Sequence, residues 1–157
     1  IRRQRQMCIR DSLTPLAEKS GITLELAGDG VMTGSDALIY RMIFNLTENA
    51  IKYNRPDGSV QVCITQEPEK LLILVSDTGR GIPEEYQQSI FQPFFRVDKS
   101  RSRTFGGAGL GLALVWEIAA LHGGSVRVAE SSDSGTTIAA ELPRSGNHAA
   151  APKNETL

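Results

Sequence analysis

The chain predicts an α+β fold: a two-layer α/β sandwich in which a mixed, mostly antiparallel sheet is covered on one face by helices. Three observations predict it. Leu38, Ile39, Met42, Ile43, Leu46, Ala50 and Ile51 recur at threes and fours, the spacing of a helix with one buried face. Val60, Val62 and Ile64 alternate at the strand period, and LLILVSD at 71–77 follows as an apolar run. SVRVAES at 125–131 and TTIAAEL at 136–142 flank the turn Asp133-Ser134-Gly135, the pattern of a hairpin.

Taken in order, the chain opens at Ile1 rather than Met, which is expected of a fragment. RRQRQMCIRDS at 2–12 resembles translated adapter read-through, so residues 1–12 are set apart as a non-native or linker segment; the competing reading is the last turns of a preceding basic helix. Ile22, Leu24 and Leu26 alternate as a half-buried strand, Gly28 and Gly30 mark a turn, and Val31–Thr33 reads as a short strand. Ser35 and Asp36 can cap the helix that runs to about Tyr53. Arg55-Pro56-Asp57-Gly58 ends it with turn chemistry. The run 71–77 reads as a central strand covered on both faces. Pro83-Glu84-Glu85 is expected to start a helix reaching Ile90. A further helix is expected from near Gly109 to Leu121, burying Leu112, Val115, Trp116 and Ala119 and stopped by Gly123 and Gly124. The informative domain is 13–143, and 144–157 reads as a disordered C-terminal tail.

The 157 residues suit one domain, with 40% hydrophobic and 22% charged residues in the range of a soluble globular chain. A net charge of −1 gives no long-range reason to expect nucleic acid as a partner. Cys8 and Cys63 form neither a disulfide framework nor a metal set, and Cys63 reads as a small sheet residue in a reducing, cytosolic setting. No segment reaches the length of apolar residues that spans a bilayer. The expected localisation is cytoplasmic.

Three motifs carry the chemistry. In NLTENAIKYN at 45–54, Asn45 and Asn49 stand four apart on one helix face, with Lys52 and Tyr53 one turn on. An amide oxygen is a hard, neutral ligand suited to Mg²⁺ beside phosphate oxygens, Lys52 could balance phosphate charge, and Tyr53 could pack on a purine. In DTGRGIP at 77–83, Asp77 ends the apolar strand. A carboxylate there needs a donor, which adenine's exocyclic amine can supply; the alternative is that Asp77 only caps a helix beginning at Pro83. Gly79 and Gly81 permit close backbone approach. In GGAGLGL at 106–112, glycines precede a helix whose N-terminal N–H groups suit a triphosphate, in a context that fits neither a P-loop nor a dinucleotide turn. Between the second and third motifs, Phe91, Phe94 and Phe95 read as an apolar anchor for a basic loop holding Arg96, Lys99, Arg101 and Arg103. His122 reads as a helix-end residue and His148 as part of the tail, neither with catalytic neighbours.

These residues closely resemble the catalytic, ATP-binding domain of bacterial sensor histidine kinases, in the superfamily that also holds gyrase B, MutL and certain heat-shock chaperones. NLTENAIKYN resembles the N box, DTGRGIP the G1 box, FQPFF at 91–95 the F box and GGAGLGL the G2 box, so the resemblance covers roughly 13–143. It implies the Bergerat fold with an ATP lid over about 91–108, ATP and Mg²⁺ as cofactors, and Asn49 as the metal ligand. The implied nucleotide-binding set is Asn49, Tyr53, Asp77, Gly79, Gly81, Ile82, Phe91, Gly107, Gly109, Leu110, Gly111 and Leu112. Asn45, Lys52, Arg101 and Arg103 are the implied catalytic residues, acting near the metal and phosphates.

Two positions depart from the family pattern. Ala108 stands where threonine is common, which removes a hydroxyl but keeps the backbone donors. Asn45 occupies the place where ATPase branches carry a water-activating glutamate, and an amide cannot be a general base; Glu48, one residue before Asn49, is turned about 100° away. The resemblance therefore implies phosphoryl transfer to a histidine on a separate dimerisation domain that this chain lacks, with a response regulator downstream and a membrane-anchored parent. The competing readings are a stand-alone ATPase or anti-sigma-type serine kinase on the same fold, and a regulatory module without catalysis.

Overall fold

The computed structural model describes residues 3–30, 32–95 and 110–145, with side chains from residue 10 onward. Helix α1 (Arg3–Ser20) leads into strand β1 (Thr23–Gly28), then helix α2 (Asp36–Lys52) and strands β2 (Ser59–Gln66) and β3 (Lys70–Asp77). Two short 3-10 turns, Glu84–Tyr86 and Ser89–Phe91, precede helix α3 (Gly111–Leu121) and the hairpin β4 (Ser125–Ser132) and β5 (Gly135–Pro143). Residues 3–12, set apart in the sequence reading, form the first turns of α1, and Leu13 and Ala17 are buried on its inner face.

The five strands lie in the order β1-β2-β3-β5-β4. β1 pairs with β2 in parallel and every other pair is antiparallel. A parallel neighbour needs a crossover, and α2 supplies it. Ser35 caps α2 as expected, its Oγ accepting from the Leu38 N–H at 3.2 Å. Ile39, Met42, Ile43, Leu46, Ala50 and Ile51 are buried, so one stripe of α2 lies on the core and the opposite face is left for chemistry. The core joins these residues to Val60, Val62, Leu71, Ile73, Val75, Val115, Ile118, Ile138 and Leu142 from the sheet and α3.

Four expectations need correction. β3 is central in the sheet but alternates buried with half-buried residues, so the described helices cover one face only. On the other face Leu72 and Leu74 are half-buried, Ser76 bonds Thr137 at 2.9 Å, and Glu141 accepts from Lys70 and Arg127. The helix expected over 83–90 is replaced by the two 3-10 turns, because no side chain caps Pro83 and Ile82 is tied elsewhere. Met32 and Thr33 are not strand; the Thr33 N–H donates to the Arg144 carbonyl instead. Trp116 is 48% exposed, so the buried stripe of α3 is Val115, Ile118 and Ala119, with Leu112 half-buried.

Candidate functional site: one helix face, a glycine turn and a helix start

The polar face of α2 presents Asn45, Asn49 and Lys52, all half-buried, opposite its apolar stripe. Asn45 Nδ2 donates to the Gly111 carbonyl at 3.4 Å, which ties the first motif to the start of α3. Asn49 makes no side-chain hydrogen bond among the described residues, although its carbonyl receives the N–H of Tyr53, the C-cap of α2, at 3.2 Å. Lys52 lies 3.9 Å from Glu48, a loose i,i+4 pair that leaves its ammonium available to a stronger anion.

Asp77 closes β3 opposite Val60 of β2 and Thr136 of β5, on the same face as Val75 and Ile73. That face is toward the helices, which is why its carboxylate is half-buried. Its Oδ1 accepts from the Gly79 N–H at 2.8 Å and the Thr136 N–H at 3.2 Å. Burial pushes the carboxyl above its usual range, and the two N–H donors pull the other way. Both bonds fall on Oδ1, so Oδ2 has no hydrogen bond among the described residues. Asp77 does not cap a helix at Pro83, since the turn there has no side-chain cap.

Gly79 links the first two motifs. It is buried, and a Cβ on it would lie 2.8 Å from the Tyr53 carbonyl oxygen and 3.0 Å from Asp77 Oδ1. Any side chain would force Tyr53 and Asp77 apart. Gly81 takes φ +81° against the backbone of Ser132. Ile82, half-buried, is fixed through its main chain: its N–H donates to Ser131 Oγ at 2.8 Å and its carbonyl accepts from Gln87 Nε2 at 3.0 Å.

Phe91 is buried, its ring centroid 5.6 Å from that of Trp116 on α3. Phe95 is half-buried beside Tyr86 at 5.7 Å. Phe94 departs from the expected anchor: it is 69% exposed with φ +66°, so two of the three phenylalanines hold this segment down. Leu110 is exposed at the N-cap of α3, and a Cβ at Gly111 would meet no atom of the described residues within 4 Å. Arg101, Arg103, Gly107 and Gly109 lie outside the described residues, as do Arg96, Lys99, Ala108 and His148.

Sequence reasoning missed four residues that frame the site. Asn54 is buried; its Oδ1 accepts from the Arg55 N–H at 2.8 Å and from Thr78 Oγ1 at 3.0 Å, while its Nδ2 donates to the Ser59 carbonyl at 2.8 Å. It therefore locks the end of the first motif to the start of the second. Thr136, Ser131 and Gln87 are the others. Asn54 closes the N-box stretch and Thr136 follows the hairpin glycine, so both had a positional signal; Ser131 and Gln87 had none.

The Gly79 packing and the Asn45–Gly111 hydrogen bond link a half-buried acceptor at a strand end, two glycines with no room for side chains, a face of amides and the start of α3. The chain belongs to the family described as histidine kinase-, DNA gyrase B-, and HSP90-like ATPase, whose pattern matches residues 34–146. Within that ATP-binding family its similarity is to sensor histidine kinases. It is 35% identical to sensor histidine kinase RppB of Synechocystis over 152 residues, covering 88% of this chain and 33% of RppB. It is 40% identical over 110 residues to the sensor-like histidine kinase SenX3 of Mycolicibacterium smegmatis, covering 70% of this chain and 29% of SenX3. The solved mycobacterial sensor histidine kinase MprB superposes with a TM-score of 0.71 at 28% identity, over 88% of this chain and 94% of that one. The chain spans about a third or less of the curated relatives it matches. No described helix is long and apolar enough to cross a membrane.

Proposed function

We propose that this chain is the catalytic part of a sensor histidine kinase, with residues 13–143 as the working domain, and that it delivers the γ-phosphoryl group of ATP to a histidine on a separate dimerisation domain. The observation that carries this reading is the Asn45–Gly111 hydrogen bond: the helix face of the first motif closes on the start of α3 with an amide, not a carboxylate. An amide cannot take a proton from water, so the position favours transfer over hydrolysis.

Asp77 Oδ2 is the acceptor for the exocyclic amine of adenine, and the Gly79 and Gly81 turn lets the base lie against backbone. Tyr53, Ile82 and Phe91 supply apolar cover, and Leu110, Gly111 and Leu112 form the described part of the phosphate end. Asn49, whose amide has no described partner, fits a Mg²⁺ ligand; when bound, that ion neutralises charge on the phosphate oxygens. Lys52 exchanges its loose contact with Glu48 for the phosphates, and Arg101 or Arg103 approaches the γ-phosphate from outside the described residues. Transfer breaks the bond between the γ-phosphorus and its bridging oxygen and forms a P–N bond to the incoming imidazole. A response regulator would then receive the phosphoryl group, in a parent protein anchored at a membrane.

The test supplies a dimeric phosphoacceptor domain from a related kinase with radiolabelled MgATP. An acid-labile, base-stable phosphoryl adduct on that domain is the expected product. Steady ATP hydrolysis by this chain without an acceptor, and no labelled histidine with one, would overturn the proposal.

A further inference from the structure

We propose that Ser131, a residue on β4 with no signal in any motif, is a positioning residue for base selection, brought to the nucleotide site by a β-bulge at Ala129. This rests on the nucleotide-binding reading above.

The argument begins with register. Val126 and Val128 of β4 pair with Ala140 and Ile138 of β5 and face the helices. The ladder then shifts: Glu130 pairs with Thr137, Ser131 with Thr136 and Ser132 with Gly135, leaving Ala129 as the extra residue. Because side chains alternate with a period of two, an unbroken strand carrying Val126 and Val128 inward would turn Glu130 inward and Ser131 outward. One inserted residue reverses that parity. Ser131 thus points to the face that holds Thr136 and Asp77, and Glu130 is exposed.

In that position the hydroxyl joins three parts of the site. Its oxygen accepts the Ile82 N–H at 2.8 Å, which anchors the far end of the glycine turn. It also shares a hydrogen bond of 2.8 Å with Thr136 Oγ1. Thr136 in turn donates its backbone N–H to Asp77 Oδ1 at 3.2 Å. A single hydroxyl therefore ties both the turn after Asp77 and the residue that holds the Asp77 carboxylate. The packing leaves little slack, since a Cβ at Gly81 would lie 2.1 Å from the Ser132 carbonyl oxygen and 3.3 Å from Ser131 Oγ. The described hydrogen bonds of the Ser131 hydroxyl go to Ile82 and Thr136 and to neither the α2 amides nor the start of α3, so its influence falls on the base end of the site. Alanine at this position leaves the Ile82 N–H without its acceptor and frees Thr136, and the carboxylate loses its fixed aim.

The experiment compares MgATP and MgGTP binding by calorimetry for the parent, Ser131→Ala and Ser131→Thr, with amide hydrogen exchange followed at Ile82. For Ser131→Ala we expect about tenfold weaker MgATP binding, the scale of one lost buried hydrogen bond, with MgGTP binding little changed and faster exchange at Ile82. Ser131→Thr keeps the hydroxyl in a strand that accepts a β-branched residue, and should return both readouts to within about twofold of the parent. Should Ser131→Ala melt below the working temperature, Ser131→Cys keeps the size with a far weaker acceptor and carries the same comparison. Equal loss for both nucleotides, or an unchanged ratio, overturns the positioning role and leaves Ser131 as a structural residue. A parent that binds neither nucleotide overturns the nucleotide site itself, which is a different result.

Discussion

Gly135, the first residue of β5, stands so close to Asp77 that a Cβ on it would lie 1.9 Å from the Asp77 carbonyl oxygen and 2.8 Å from the carbonyl carbon. Its φ of +142° is also one that L side chains rarely adopt. The end of the β4–β5 hairpin is thus pressed against the strand end that carries the Asp77 carboxylate. Gly135→Ala must move backbone and strain its own conformation, and should cost about 3 kcal/mol or more in urea unfolding, with nucleotide binding lost in step. A cost below about 1 kcal/mol would show that the hairpin does not press on Asp77.

Asp77→Asn separates stability from binding. Asparagine keeps the Oδ1 acceptor for the Gly79 and Thr136 N–H groups but removes the charge that burial disfavours. Burial holds the folded carboxyl above the ordinary value of 3.8, so its contribution is fully present below that value and is lost as pH rises through the folded pKa. The ionised carboxylate therefore works against the nucleotide-free fold at neutral pH. The variant should unfold at higher urea than the parent at neutral pH, with the gain fading toward acid. MgATP binding should weaken more than MgGTP binding. A variant less stable at neutral pH, or one losing both nucleotides equally, contradicts this account.

Asn49→Ala should leave the urea midpoint within about 0.5 kcal/mol of the parent, because the amide makes no described side-chain hydrogen bond. Transfer to an added phosphoacceptor domain should fall on the order of a hundredfold, as when a preorganised charge-stabilising group is removed. Magnesium titration of nucleotide affinity is the check: the parent's affinity should rise with the ion and the variant's should not. Parallel responses would remove Asn49 from the metal site.

His122→Phe tests a structural bond. The ring is buried at the C-cap of α3, with Nδ1 at 2.8 Å from the Ile118 carbonyl and Nε2 accepting the Ser35 N–H at 3.1 Å. A carbonyl only accepts, so Nδ1 carries the hydrogen and Nε2 is bare. The imidazole joins the end of α3 to the cap of α2, and phenylalanine would leave the Ser35 N–H without it. The expected cost is about 2 kcal/mol in urea unfolding, with ATP affinity of the folded fraction within about twofold. Nitrogen NMR of the parent should show Nδ1 as the protonated ring nitrogen, and the opposite tautomer would refute the hydrogen-bond assignment.

The sequence carried the fold and three of its motifs because those features are local. The stripe of α2 from Leu38 to Ile51, the Ser35 cap and the β4–β5 hairpin follow from periodicity and turn chemistry within a few residues. The misread elements lacked such closure. Pro83-Glu84-Glu85 has the residues of a helix start, but Ile82 is held by Ser131 and Gln87, and the chain settles into 3-10 turns. The apolar run of β3 read as covered on both faces because a strand at the centre of a sheet is shielded by its neighbours: Leu72 and Leu74 are half-buried with no described helix over them. Trp116 followed the helical spacing of a core residue, yet it is half exposed, its ring lying beside that of the buried Phe91.

By itself the sequence determined which chemistry this chain holds: amides on one helix face, a carboxylate at a strand end and glycines where backbone must approach closely. Tertiary structure alone decided how these are aimed. The bulge at Ala129, the wedge of Gly135 against Asp77 and the lock of Asn54 on Thr78 join residues far apart in the chain. The physical reason is that hydrogen-bond partners and close backbone contacts across strands depend on register, and register is set by the packing of the whole sheet.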